Sequence, residues 1–161
     1  MSAAGPPQRA NTSLRGAAQR QSRKRGGPFP FSFPVRVYYE DTDAAGVVYY
    51  ANYLKFMERA RTEWLAALGF PLAAFEQDFG AAFVVRRFEI DFLAPARLND
   101  TLDVTVEAVE RGASRLVAMQ SCRRGGIAVA NARVTLACVD KANWRPTRIP
   151  KPLREALEST G

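Results

Sequence analysis

Histidine is missing from this chain altogether. Its absence rules out a Ser-His-Asp triad, a Cys-His pair and any imidazole-bound metal, so catalysis has to rest on carboxylates, hydroxyls, lysines or backbone dipoles. Cysteine is scarce as well: Cys122 and Cys138 are the only two, each inside an apolar, strand-like segment. They read as buried thiols rather than as a disulfide or a metal pair. No apolar run approaches the roughly 18 residues that cross a membrane, and the N-terminus lacks the apolar stretch of a secretory leader, so a cytoplasmic location is expected. Acids are absent from residues 1–34, which carry Arg9, Arg15, Arg20, Arg23, Lys24 and Arg25. Six of the seven net positive charges therefore sit there, and the remainder of the chain is close to neutral.

What is present suits one domain with a real core: 161 residues, 47% of them hydrophobic and 24% charged. Residues 1–28 are rich in Gly, Ala, Ser, Gln, Pro and Arg without hydrophobic periodicity, so a disordered basic tail is expected ahead of a single domain spanning 29–161. The cluster Arg23-Lys24-Arg25 has no aromatic neighbours and reads as a solvated extension rather than a nucleic-acid arm. Pro28, Pro30 and Pro34 stiffen the approach to the domain. Residues 35–40 read as a first strand. From about Tyr50 the period changes: Tyr50, Tyr53, Leu54, Met57, Ala60, Trp64, Leu65 and Leu68 recur at three- and four-residue steps, which predicts a helix from near Ala51 to Leu68, closed by Gly69 and Pro71. A short helix is expected over 71–78. Strands follow near 82–93, 101–110, 114–124 and 127–140, joined by the tight turns Arg111-Gly112-Ala113 and Arg124-Gly125-Gly126. Short turns between consecutive strands imply an antiparallel sheet, so the fold class is α+β, with an extended 144–150 and a final helical turn over 152–158.

The densest chemistry lies in Tyr39-Glu40-Asp41-Thr42-Asp43-Ala44-Ala45-Gly46-Val47-Val48-Tyr49-Tyr50-Ala51-Asn52-Tyr53. Two carboxylates and a glycine are set against the start of a strong helix, where free N–H donors and partial positive charge can polarise a carbonyl. An acid in such a turn also serves simply as a helix or turn cap.

The run resembles the signature of hotdog-fold acyl-CoA thioesterases of the 4-hydroxybenzoyl-CoA thioesterase type, and within them the bacterial Tol–Pal-associated branch. The similarity covers about residues 34–150 and is carried by Arg36-Val37, by Asp41 to Val48 and by Tyr50. It implies a hotdog fold, one curved antiparallel sheet wrapped around a long central helix, and hydrolysis of short-chain or aromatic acyl-CoA. Asp43 takes the position of the catalytic acid, as nucleophile or general base. The backbone N–H of Tyr50, a position where histidine is frequent in the family, faces the thioester carbonyl. Gly46, Val47, Tyr49, Tyr53 and Phe83 are substrate-binding positions, with plain aromatic packing the alternative for the last three. Arg111, Arg115, Arg145 and Arg148 are candidates for the coenzyme A phosphates, with Arg123 and Arg124 as alternatives. No metal or separate cofactor is implied, since coenzyme A is part of the substrate. The resemblance further implies a homodimer or dimer of dimers and leaves room for an acyl carrier protein or envelope-complex partner. A rival acid, Glu58, sits where an ion pair with Arg61 accounts for it. A dehydratase would resemble enzymes built on histidine, which this chain lacks. The remaining alternative is a non-catalytic acyl-thioester-binding or envelope-complex scaffold protein.

Overall fold

Residues 29–160 are described by a computed structural model, Ala108 by its backbone alone; the basic tail over 1–28 lies outside the described residues. Strand β1 (Phe31–Arg36) leads through a single 3-10 turn (Tyr39–Asp41) and a loop into helix α1 (Asn52–Ala67). Helix α2 (Leu72–Phe79) follows, then β2 (Ala81–Phe92), β3 (Thr101–Arg111), β4 (Arg115–Arg124), β5 (Ile127–Asp140) and helix α3 (Lys151–Glu158). The strands form one sheet in the order β1-β3-β4-β5-β2, every neighbouring pair antiparallel. Irregular register between Val85 and Arg87, Val106 and Ala108, and Cys122 and Arg123 marks bulges, which strengthen the twist that lets a sheet curl. The sheet curls around α1, which packs on β1, β3 and β4: this is the hotdog arrangement.

The first strand differs from expectation. It runs over Phe31–Arg36, so Pro34 lies inside it, opposite Asp103. That is tolerated because β1 is an edge strand, where proline's missing N–H costs no ladder bond. The tyrosines beyond it turn instead, since the Asp41 carboxylate takes the Tyr38 N–H at 2.8 Å and folds the chain back. The other edge is β2, twelve residues long, with Val85 and Phe92 each 50% exposed.

Helix α1 buries Tyr53, Phe56, Met57, Ala60, Trp64 and Leu65, while Leu54, expected on that face, lies partly in solvent. The surprise is Arg61, which the helical pattern assigned to the solvent side beside Glu58. It turns inward, and burial pushes its guanidinium down to about 10. Its Nη1 donates to Gln120 Oε1 at 2.8 Å; Gln120 Nε2 in turn donates to the carbonyls of Met57 and Thr105 at 3.0 and 3.3 Å. Gln120 thus joins helix to sheet. Gln120→Leu is expected to lower stability in urea by roughly 3 kcal/mol, since it leaves a buried cation without its acceptor. Arg61→Met, which strands one amide oxygen, is expected to cost roughly half as much.

The tight turn into β5 uses Gly125 and Gly126, both at positive φ (56° and 83°), the geometry that matches the strand twist in a two-residue hairpin. Cys122 and Cys138 are buried free thiols, pushed up to about 12 and about 11 by that burial, which keeps them from acting as nucleophiles.

Candidate functional site

The loop from Asp41 to Ala51 is built by hydrogen bonds that its own sequence supplies. Asp41 is buried, with its carboxylate committed to the Tyr38 N–H. Its carbonyl accepts the Tyr49 N–H and the side-chain amide of Asn52, each at 2.9 Å, which ties the two ends of the loop together. Asp43 stands at the exposed tip. Its Oδ1 accepts the N–H groups of Ala45 at 2.8 Å and Val47 at 3.4 Å. Its backbone N–H donates to the Val47 carbonyl at 2.8 Å, and its carbonyl accepts the Gly46 N–H at 3.0 Å. Gly46 holds φ at +77°; an added Cβ would meet nothing within 4 Å, so the need for glycine there is one of backbone conformation, not space. Oδ1 of Asp43 is thereby held by the turn, while Oδ2 takes no partner among the described residues.

The segment 93–100 braces this loop from behind. Val47 bridges Arg97, the Val48 N–H donates to the Ala96 carbonyl at 2.8 Å, and the Tyr53 hydroxyl accepts the Ala96 N–H at 3.3 Å. Burial raises that hydroxyl above the ordinary tyrosine range. Asp100 locks the segment: its Oδ2 accepts the Arg97 N–H and the Arg124 guanidinium, both at 2.9 Å, and these hold its carboxyl below the usual range. Arg124 is thereby committed to structure.

Tyr50 precedes α1 by two residues. Its N–H takes no partner among the described residues, as befits a donor at the start of a helix, and its phenol is 61% exposed. The ring lies 4.6 Å from that of Tyr49 and 6.5 Å from that of Phe92; Tyr53 meets Phe92 edge-on at 5.5 Å. An aromatic wall of Tyr49, Tyr50, Tyr53 and Phe92 therefore stands beside the Asp43 loop. Sequence reasoning missed Phe92, although the alternation Phe88, Ile90, Phe92 was there to place it on one face of β2.

Phe83 is elsewhere. It stacks on Phe75 of α2 at 5.5 Å, with Phe70 and Phe79 adjoining Phe75, and nine residues of β2 separate it from Phe92, roughly 30 Å at strand rise. Within one chain it does not join Tyr49 and Tyr53. The arginines divide as well. Arg111 is engaged by α3, donating to Glu158 Oε1 at 2.6 Å and to the Arg154 carbonyl at 3.2 Å. Arg123 pairs with Glu107 at 2.8 Å. Arg115 lines an open cavity of about 690 Å³ together with Arg86, Arg87, Ser114 and Pro146. Arg86 and Arg87 were not singled out from sequence; the doublet falls on the β2 irregularity, and both side chains are exposed. Arg145 and Arg148 lie exposed on the segment after β5, outside that cavity's lining. Glu58 makes no ion pair among the described residues, though its charge still favours the protonated Arg61 guanidinium against the effect of burial.

A curled antiparallel sheet around one long helix, with an acid-bearing loop leading into that helix, is the architecture of the hotdog class. Residues 37–157 match the model of the thioesterase-like superfamily, and the chain belongs to that family of thioester hydrolases. It is 44% identical over 127 residues to acyl-CoA thioesterase YbgC of Haemophilus influenzae, covering 79% of this chain and 93% of that protein. It is 36% identical over 124 residues to the 1,4-dihydroxy-2-naphthoyl-CoA hydrolase of Thermosynechococcus vestitus, covering 76% and 85%. Among solved structures, a probable thioesterase from Bartonella henselae superposes with a TM-score of 0.71 at 34% identity, covering 75% of this chain and 99% of that one.

Proposed function

We propose that this chain hydrolyses the thioesters of short-chain or aromatic acyl groups with coenzyme A, and that Asp43 and the Tyr50 N–H carry the reaction. The observation behind this reading is the pairing of an exposed carboxylate, one oxygen held and one open, with an unpartnered N–H at the head of α1. The thioester carbonyl oxygen accepts the Tyr50 N–H, and the helix end stabilises the negative charge that develops on it. Asp43 then follows one of two routes. As a nucleophile, its open oxygen bonds to the acyl carbon, the C–S bond breaks, the thiolate leaves and is protonated, and water hydrolyses the resulting anhydride. As a general base, it takes a proton from water while the hydroxide adds to the acyl carbon, and the thiolate carries that proton away as it leaves. In one turnover in 18O-labelled water, unlabelled acid with label left on Asp43 marks an anhydride opened at the Asp43 carbon. Label in the acid marks water adding to the acyl carbon, which the base route and an anhydride opened on its acyl side share; hydroxylamine, which captures an acyl anhydride as the hydroxamate, then separates those two.

The acyl group lies along Tyr49, backed by the buried Tyr53, with Gly46 and Val47 shaping the approach. A second copy is expected to pair along the long β2 edge, where Val85, Phe92 and Leu93 expose apolar surface, giving a dimer or a dimer of dimers. The cavity of Arg86, Arg87 and Arg115 suits the phosphates of the nucleotide end. Replacing both Arg86 and Arg87 by alanine is expected to raise KM for acyl-CoA by about tenfold, while KM for the matching acyl-pantetheine, which lacks the nucleotide, stays unchanged.

The test is release of free thiol from a panel of short, long and aromatic acyl-CoAs. Turnover of short-chain or aromatic members supports the proposal. No turnover of any member would overturn it in favour of a thioester-binding or scaffold protein.

A further inference from the structure

We infer that Asn52 is a positioning residue for Asp43, acting through the Asp41 carbonyl; this rests on Asp43 carrying the reaction as proposed above. Asn52 opens α1 and is 8% exposed, as is Asp41. A buried amide is costly unless hydrogen-bonded, and asparagine is a poor helix former, so the residue needs a reason to be there. Capping is not that reason: the position before α1 is Ala51, and no side chain caps the helix end. The amide serves the loop instead, Nδ2 reaching across eleven residues to the Asp41 carbonyl at 2.9 Å.

The placement of that bond is what matters. Asp41 lies two residues before Asp43, and Asn52 two residues after Tyr50. One hydrogen bond therefore fixes the strand side of the loop, which carries the acid, to the helix side, which carries the open N–H. The same carbonyl also takes the Tyr49 N–H at 2.9 Å, and the Asp41 carboxylate holds the Tyr38 N–H at 2.8 Å, so the anchor is braced from both directions. Asp43 itself holds only bonds within its own turn, to Ala45, Gly46 and Val47. Those bonds shape the turn; Ala96 and Arg97 brace it from behind through Val47 and Val48, and the Asp41 carbonyl, held by Asn52 and Tyr49, ties it to the helix.

The experiment measures kcat, KM and thermal midpoint of the full chain for Asn52→Leu and Asn52→His, each in the wild-type and Asp43→Asn backgrounds. Asn52→Leu removes the donor at similar size and is expected to lower kcat about 30-fold with KM within about threefold, the scale of a misplaced reacting group. The Nδ1–H of the histidine in Asn52→His falls near the place of the amide donor and is expected to restore most of that loss. In the Asp43→Asn background, Asn52→Leu should cost nothing further, because the group it positions is gone. Should Asn52→Leu fail to fold, Asn52→Ser carries the same comparison. An equal loss in both backgrounds, or a lowered midpoint with full kcat in the folded enzyme, would overturn the inference and leave Asp43 in place. An Asp43→Asn enzyme as fast as wild type would remove the reading of Asp43 and this inference with it.

Discussion

An Asp43→Asn enzyme is expected to melt at the wild-type temperature and to lose about three decades of kcat against its best acyl-CoA. The side chain keeps its size, and its amide oxygen can still accept the Ala45 and Val47 N–H groups that shape the turn. What changes is the open oxygen, replaced by an amide nitrogen that can neither attack an acyl carbon nor take a proton. Thiol release beside a thermal melt reads both quantities. A rate near wild type would take the reaction away from this loop. Glu58→Gln is the control: Glu58 lies on the exposed side of α1 without an ion pair among the described residues, and its loss should change the rate by no more than about threefold.

The second large effect separates a backbone role from a side-chain role at one position. Tyr50→Phe is expected to leave kcat within about threefold, since the phenol is mostly in solvent. Tyr50→Pro deletes the N–H and is expected to lower kcat by about 100- to 1,000-fold, the usual consequence of removing one oxyanion donor. The N–H that proline removes has no partner among the described residues, so the fold loses no hydrogen bond, and a thermal melt beside the rate reports any cost of the ring itself. Equal rates for the two variants would show that the carbonyl is polarised from elsewhere. A larger loss in Tyr50→Phe would assign the work to the hydroxyl.

Much of this arrangement was legible before any coordinates. The helix ends at Gly69, both hairpins fall on their glycines, and the four later strands lie within a residue or two of their expected bounds. These are local signals, in which turn residues and apolar periodicity act within a few positions. The misses are all products of tertiary contact. Periodicity put Arg61 in solvent, but Gln120, 59 residues on, offers it an acceptor inside. Aromatic character left Phe83 open between an acyl pocket and plain packing, and α2 lays Phe75 against it. Strand propensity favoured residues 35–40, but one hydrogen bond from Tyr38 to the Asp41 carboxylate turns the chain, and an edge position lets Pro34 serve within β1. Around the candidate site, the loop bearing Asp43 and Gly46 and the start of α1 were readable from one run of sequence, whereas the partner of Asn52, the ring of Phe92 and the Arg86–Arg87 cavity needed the sheet to assemble first.

The two borders of the sheet have a consequence for how many copies can join along it. Indefinite growth requires two complementary ends on every unit, and among the described residues the sheet has only one long border. Strand β1 is six residues with a proline in it; β2 is twelve with apolar side chains in solvent. A partner seated on β2 would leave only the proline-bearing borders outward, so lateral addition there would have a valence of one and would terminate instead of polymerising.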